Sequence, residues 1–183
     1  MRMPCPCPLC NESEFCTVWN KSHCPMYDLW KTEKKENIAM NVFIGEGAKL
    51  PNRAHPTDAG MDIFTPEDVV VKAHGSATIN SRVRIDLTTV PHIPGWGLVA
   101  LILPKSGLNV KRDIMAFGVI DEPYRGEIVI KLYNFGDEDY HFHAGDKATQ
   151  MVILPCMYAD INQVDFLSTD TDRGTNGFGS SGL

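Results

Sequence analysis

The chain has 183 residues, of which 43% are hydrophobic and 22% charged, with a formal net charge of −6. This length suits one domain with one hydrophobic core. The negative charge and the lack of a basic run exclude non-specific nucleic-acid binding from the expected functions. No apolar run approaches the roughly 20 residues that span a bilayer, so no membrane association is expected. The first residues lack the apolar core of a secretory signal, so we expect a cytoplasmic protein.

Residues 1–39 form an N-terminal extension that differs from the rest of the chain. Five of the six cysteines lie here, followed by a charged run at residues 31–36. Residues 7–10 have the C-x-x-C spacing of zinc sites, which predicts a small zinc module. Its candidate ligands are Cys7, Cys10, Cys16, His23 and Cys24. Two alternatives stay open, a flexible appendage and translation from an upstream start, because strand-like alternation begins at Met40.

Residues 40–164 have the pattern of an all-β domain. Short alternating or apolar runs recur between turn residues, which favours a jelly-roll-like or distorted barrel over βαβ units. The predicted strands are residues 41–44, 61–64, 69–72, 77–79, 83–87, 97–103, 114–120, 128–134, 140–142, 148–154 and 162–164. The only helix predicted is a short one, between Asp58 and Met61 or after Leu108.

Residues 117–134 predict a β-hairpin that carries a carboxylate at its rim. An apolar run at 117–120 meets the turn-forming sequence Asp121-Glu122-Pro123, and an alternating strand follows. A carboxylate beside an apolar wall can serve as a general base for a bound water. The ring of Tyr124 can support a flat ligand. The alternative is a surface hairpin whose aspartate only starts a turn.

Residues 105–107, Lys-Ser-Gly, follow an apolar strand and predict a phosphate-binding turn. A cation, a hydroxyl and a backbone N–H beside a glycine suit an anion. Ser106 is not expected to be a nucleophile, because no G-x-S-x-G sequence surrounds it.

Residues 165–183 lose the strand pattern and are rich in Ser, Thr, Asp and Gly. They predict a disordered tail, or a mobile flap in which glycines let the backbone wrap a ligand closely. In the flap, Arg173 supplies a charge and Phe178 a stacking ring.

His141 and His143 alternate along one predicted strand, after acidic residues 137–139. An exposed strand edge is the favoured interpretation, and a metal site is the alternative.

Five segments, taken in order, resemble the signature segments of the trimeric dUTP diphosphatases (dUTPases). They are residues 58–63, 104–108, 118–128, 144–151 and 173–182. The resemblance implies the dUTPase β-fold and the hydrolysis of dUTP to dUMP and pyrophosphate with Mg²⁺. That reaction limits uracil incorporation into DNA and supplies dUMP for thymidylate synthesis.

The resemblance also implies roles for individual residues. Asp121 orients and deprotonates the water that attacks the α-phosphorus, and Asp62 acts on the hydration shell of Mg²⁺. Backbone groups of residues 116–120 read uracil, while Tyr124 lies beneath the deoxyribose. The implied substrate-binding residues are Lys105, Ser106, Gly107, Phe117, Gly118, Val119, Ile120, Tyr124, Gln150, Arg173, Phe178, Gly179 and Ser180. Members of this family usually carry arginine at the position of Lys105. Lysine offers a point charge in place of the bidentate fork of arginine.

The working unit implied is a homotrimer whose active sites lie between subunits. Segments one, two and four come from one chain, the hairpin from a second and the tail from a third. Two other functions are alternatives. A dCTP deaminase needs a glutamate base in the hairpin, but Glu122 is out of phase with that pattern. A non-catalytic nucleotide-binding protein has no need of Asp121.

Overall fold

The computed structural model describes residues 38–177, which fold into eleven strands, one α-helix and one 3₁₀-helix. The strands are β1 (Asn41–Ile44), β2 (Met61–Phe64), β3 (Val69–Val71), β4 (Ser76–Asn80), β5 (Val83–Asp86), β6 (Trp96–Leu103), β7 (Ile114–Ala116), β8 (Gly118–Asp121), β9 (Val129–Asn134), β10 (Tyr140–Phe142) and β11 (Lys147–Met157). The 3₁₀-helix is Leu87–Thr89, and α1 is Ser106–Arg112. The all-β prediction for this part of the chain is confirmed.

The strands form small antiparallel sheets, and the largest one organises the rest. Its strand order is β2-β11-β6-β8. At its centre β11 and β6 pair continuously, from Gln150 opposite Leu103 to Met157 opposite Trp96. The second sheet has the order β4-β9-β7, and two-stranded sheets join β1 to β5 and β10 to β3. Because β8 is the last strand of its sheet, one of its backbone edges has no strand partner among the described residues.

Alternating side chains place the core between the sheets. In β9, Ile130, Leu132 and Asn134 are buried while the residues between them are exposed, as expected for a strand with one buried face. The buried amide of Asn134 is satisfied, because its Nδ2 donates to the carbonyls of Val71 at 2.9 Å and Glu138 at 2.8 Å.

The predicted hairpin is wrong, because β8 and β9 belong to different sheets. β8 pairs with β6, whereas β9 pairs with β4 and β7. The backbone around Ile128 explains the change of sheet. Its N–H donates to the carbonyl of Val83 at 2.8 Å, and its carbonyl accepts from the N–H and hydroxyl of the buried Ser81. These bonds direct the chain after Gly126 towards β4, so residues 122–128 are a crossover.

Other boundaries also differ from the predictions. The helix begins at Ser106, earlier than predicted, and residues 58–61 form no helix. The predicted strand at 114–120 is divided at the exposed Phe117. Residues 162–164 form no strand and lie in an exposed segment, 159–177. In residues 38–177, no helix is both long and apolar enough to cross a membrane.

Candidate active site

The ends of three strands gather residues that are predicted to meet phosphate or the magnesium ion bound to it. Asp62 on β2 lies opposite Gln150 on β11, and Gln150 lies opposite Leu103 on β6. Lys105 follows two residues after Leu103, at the start of α1. The fold therefore brings Asp62, Lys105 and Gln150 together, although they are distant in sequence. With Lys147, which the sequence analysis did not single out, they form what we call the lysine–aspartate cluster.

Asp62 is the anionic centre of this cluster. Its side chain is only 7% exposed, and each carboxylate oxygen has its own cation. Oδ1 accepts from Lys105, and Oδ2 lies 2.7 Å from Nζ of Lys147. Burial acts to raise the pKa of Asp62, but the hydrogen bonds and charges of the two lysines outweigh it and hold the pKa below its ordinary value. Asp62 is therefore an ionised carboxylate at neutral pH.

Gln150 supports the turn that carries Lys105. Its Nε2 donates to the carbonyl of Pro104 at 3.0 Å. Gly60 provides the space for this amide, because a Cβ on Gly60 would lie 2.2 Å from Oε1 of Gln150. The surface beside Gly107 is open, since no heavy atom of the described residues, outside the adjacent residues and the helix's own backbone, lies within 4 Å of the position of a Cβ there. A ligand can therefore approach the Ser106–Gly107 backbone closely.

Asp121 is the last residue of β8 and is exposed. The turn after it is held by Arg125, whose Nη1 donates to the carbonyls of Glu122 at 2.7 Å and Tyr124 at 3.0 Å. Its Nη2 reaches Oδ1 of Asp86 at 2.6 Å and Oγ1 of Thr88 at 3.1 Å. Arg125 thus attaches the turn to the 3₁₀-helix, an anchor that the sequence analysis missed.

One side of the Tyr124 ring packs against the protein, and the residue is 43% exposed. It packs over Gly126, where a Cβ would come within 2.2 Å of the phenolic oxygen, and its hydroxyl donates to the carbonyl of Glu127 at 3.1 Å. The ring is therefore oriented before any ligand binds, and it offers its exposed side to one.

Glu122, the neighbour of Asp121, is held by three groups from different segments. Its Oε1 lies 2.6 Å from Nε2 of His92, and its Oε2 accepts from the N–H of Leu98 at 3.2 Å and the hydroxyl of Tyr158 at 2.7 Å. Hydrogen bonds from Tyr158, His92 and Leu98 hold the pKa of Glu122 below its ordinary value. This carboxylate is fully engaged, which disfavours a role for Glu122 as a deaminase base.

Asp121 does not meet the lysine–aspartate cluster within one chain. Asp121 lies opposite Val99 of β6, whereas Gln150 lies opposite Leu103. Four residues of extended strand separate the two positions, a length of about 13 Å. The sheet thus presents the candidate base beside the middle of β6 and the candidate phosphate site at its C-terminal end.

The remaining predicted residues vary in accessibility. Phe117 and Val119 are exposed, Gly118 is half-buried, and Ile120 is buried with its side chain turned to the core. Arg173 is exposed, and its Nε donates to the carbonyl of Asn176 at 3.0 Å. The predicted residues outside the described part of the chain are Phe178, Gly179, Ser180, Cys7, Cys10, Cys16, His23 and Cys24.

The exposed-edge interpretation of His141 and His143 fits the structure. His141 lies on the exposed side of β10, and Nδ1 of His143 is 3.8 Å from Oδ2 of Asp68. Within residues 38–177, no group of three or more His, Cys, Asp or Glu side chains is arranged to hold a metal ion.

Comparison with known proteins identifies the family. A dUTPase family model matches residues 46–182. The deoxyuridine 5′-triphosphate nucleotidohydrolase of Clostridium acetobutylicum is 41% identical over 143 residues, which cover 76% of this chain and 93% of that protein. The chain belongs to the dUTPase family. The enzyme of the same name from Mus musculus is 36% identical over 142 residues, 77% of this chain and 83% of that protein.

Solved structures of dUTPases share the fold described above. The dUTPase of Staphylococcus bacteriophage 80alpha with dUPNHPP matches with a TM-score of 0.70 at 28% identity, over 79% of this chain and 99% of that one. A mutant dUTPase from phage phi11 of S. aureus, whose structure reveals the coordination of a structural Mg(II) ion, has a TM-score of 0.61 at 28% identity. It matches 70% of this chain and 97% of that one.

The residues at the lysine–aspartate cluster fit a magnesium ion that is held through water and substrate. Mg²⁺ keeps several of its waters and commonly binds through one or two carboxylates together with substrate phosphates. Asp62 supplies one ionised carboxylate of this kind. In this structure both carboxylate oxygens of Asp62 are paired with lysines. The site therefore suits a Mg²⁺ ion that arrives bound to a polyphosphate, because the lysines can then turn from Asp62 to the phosphates.

Proposed function

We infer that this dUTPase-family chain hydrolyses dUTP to dUMP and pyrophosphate. The observation that carries this function is the match, over three quarters of the chain, to curated nucleotidohydrolases of deoxyuridine 5′-triphosphate. The structure adds support because a cationic cluster, an exposed carboxylate and an unpaired strand edge provide the three functions that such a reaction needs. In a cytoplasmic setting, the reaction limits uracil incorporation into DNA and supplies dUMP for thymidylate synthesis.

The triphosphate binds at the lysine–aspartate cluster. Lys105 contributes charge, Ser106 and Gly107 contribute a hydroxyl and backbone N–H groups, and Gln150 contributes an amide. Arg173 adds a further cation from the C-terminal segment. Asp62 would hold Mg²⁺ through water, and the bound ion would neutralise part of the phosphate charge. Positioning and charge neutralisation account for most of the catalysis of phosphoryl transfer.

Asp121 is the general base. It accepts a proton from a water molecule whose oxygen forms a new bond to the α-phosphorus. The bond from that phosphorus to the bridging oxygen of the β-phosphate breaks, and pyrophosphate leaves. An exposed carboxylate on an anchored turn suits this role, because water can reach the carboxylate and the turn holds its backbone in place.

Uracil is read by the free edge of β8. A strand edge offers alternating N–H donors and carbonyl acceptors, and uracil presents both a donor and acceptors along one side. Backbone groups of Phe117, Gly118, Val119 and Ile120 supply these contacts. The exposed side of Tyr124 lies beneath the deoxyribose, and Phe178 stacks on the base with Gly179 and Ser180 beside it.

The complete site is shared between the subunits of a homotrimer. The separation of Asp121 from the lysine–aspartate cluster supports this arrangement, because neither place on the sheet alone holds a full set of groups. The exposed segment 159–177, which carries Arg173, supports it as well. Closed cyclic symmetry makes three equivalent sites from one head-to-tail contact. A mixture of Asp121→Asn chains with chains truncated before Arg173 should recover activity when subunits exchange.

Hydrolysis in H₂¹⁸O tests the reaction and its point of attack. Attack at the α-phosphorus places the solvent oxygen in dUMP and none in pyrophosphate, which mass spectrometry distinguishes. Equal amounts of dUMP and unlabelled pyrophosphate are expected. Label in pyrophosphate, or release of inorganic phosphate as the first product, would contradict the assignment.

A further inference from the structure

The carboxylate that acts as base has no hydrogen-bond partner of its own in the described part of the chain. At Asp121 the backbone carbonyl accepts from the N–H of Tyr124 at 3.0 Å, but the side-chain carboxylate has no such contact within residues 38–177. The orientation of the Asp121 carboxylate therefore depends on how firmly the backbone on either side of Asp121 is held. On the N-terminal side β8 is paired with β6. On the C-terminal side the first anchored side chain is that of Glu122.

The Glu122 site is built to hold one carboxylate in one place. The Glu122 side chain is only 14% exposed. It joins the loop that contains His92, the start of β6 at Leu98, and Tyr158, the residue after β11. Three contacts from three separate segments fix its position far better than one surface ion pair does.

The fold makes room for the Tyr158 contact. A Cβ on Gly97 would come within 2.3 Å of both Cζ and the phenolic oxygen of Tyr158, so the ring lies directly on the β6 backbone. The hydrogen bond to Glu122 raises the pKa of Tyr158 to about 12, so the phenol remains a proton donor at neutral pH. Glu122 and Tyr158 line, with Asp121, a cavity of about 480 Å³. The hydrogen-bond network of Glu122 and the candidate base Asp121 therefore lie at the same cavity.

We propose that Glu122 is a positioning residue, which fixes the backbone after Asp121 through His92, Leu98 and Tyr158 so that the base points at the attacking water. This inference rests on the proposed role of Asp121. A base that is misplaced by about 1 Å loses up to about a hundredfold in rate. Loss of the network should therefore reduce kcat and leave the phosphate contacts, at the C-terminal end of β6, unchanged.

Four variants test this proposal in a dUTP hydrolysis assay. Glu122→Ala should lower kcat by about 10- to 100-fold with KM within about threefold. Glu122→Gln keeps an oxygen for Leu98 and Tyr158 and places an NH₂ group toward His92, so it should retain at least about half of kcat. Tyr158→Phe keeps the ring on Gly97 and removes one hydrogen bond, so it should lower kcat severalfold. Gly97→Ala displaces the Tyr158 ring without changing Glu122 itself, so it should also lower kcat.

Asp139→Ala is the matched control. Its carboxylate also accepts from a side chain and a backbone N–H, from Nζ of Lys72 at 2.7 Å and from Ala73 at 2.9 Å, but these partners lie in the turn between β3 and β4, away from Asp121. It should lower thermal stability and leave kcat within about twofold of wild type. Glu122→Ala should lower kcat beyond any effect that this control produces.

The outcomes separate the proposal from the function on which it rests. An active Asp121→Asn enzyme would overturn the role of Asp121, and the positioning role with it. If Asp121→Asn is inactive while Glu122→Ala matches Asp139→Ala, or raises KM with kcat unchanged, the positioning role alone is overturned. Should Glu122→Ala fail to fold, Tyr158→Phe decides, and wild-type kcat in that variant contradicts the proposal.

Discussion

The lysine–aspartate cluster makes a quantitative prediction for stability. Replacing Asp62 with asparagine keeps the shape of the side chain and removes its charge. It weakens two charge-assisted contacts, to Lys105 and to Lys147. The carboxylate is nearly buried, but the lysine side chains are 28% and 43% exposed, so both recover much of their hydration when the partner is lost.

The expected magnitude follows from that exposure. Pairs whose cations remain in contact with solvent contribute about 0.5–1 kcal/mol each, so Asp62→Asn should lower the free energy of unfolding by about 1–2 kcal/mol. In a chain of this size, about 1 kcal/mol corresponds to about 2–4 °C in Tm. The melting temperature should therefore fall by about 2–8 °C at neutral pH.

The effect should also depend on pH in a defined direction. The pKa of Asp62 is lower in the folded chain than its ordinary value, so its stabilisation is fully present above the ordinary aspartate pKa of about 4. It is lost as the pH falls through the folded-state pKa. The difference in stability between wild type and Asp62→Asn should therefore be constant near pH 7 and shrink below about pH 4.

Denaturant titration of both proteins at several pH values measures this difference. Glu67→Gln is the control, because Glu67 also pairs with a cation, Arg82 at 3.0 Å, but its side chain is 56% exposed. The control should lose less than about half as much stability. An Asp62→Asn protein as stable as wild type at pH 7, or a difference that does not change with pH, would refute the account of this cluster.

Three further predictions concern activity and metal. Asp121→Asn should lower kcat by about 100-fold or more with dUTP binding retained, and more than about a tenth of wild-type kcat would remove it from the base role. Gly60→Ala should raise KM for dUTP severalfold, because its Cβ meets the Gln150 amide at 2.2 Å, and an unchanged KM would contradict the role of that amide. If residues 7–24 hold zinc, elemental analysis should find about one ion per chain, lost when Cys7 and Cys10 become serine. Metal-free protein that is fully active from Met40 onwards would support the appendage interpretation.

Local patterns predicted most of the strands but not how they pair. Alternation identified β9 correctly, because one face of that strand is buried and the other is not. The same pattern could not show that β8 and β9 belong to different sheets. That outcome depends on the hydrogen bonds that the N–H and hydroxyl of the buried Ser81 donate to the carbonyl of Ile128, a residue distant in sequence.

The candidate site, like the fold, was predicted only in part from the sequence. Asp62, Lys105 and Gln150 were identified through family resemblance, and the structure brings them together. The anchors that hold the site were missed, because Arg125, Glu122 and Tyr158 act through partners about 30 residues or more away. Lys147 had a weak signal, since it lies in the fourth signature segment, at the start of the strand that carries Gln150.

The most direct test of the account is pyrophosphate release from dUTP, dCTP, dTTP and UTP, measured side by side with and without Mg²⁺. The free edge of β8 and the ring of Tyr124 should restrict the reaction to dUTP, and removal of Mg²⁺ should suppress it. Rapid release from dUTP alone, dependent on Mg²⁺, is the predicted result. Equal rates with dCTP or UTP, or ammonia release from dCTP, would contradict the proposed site and its chemistry.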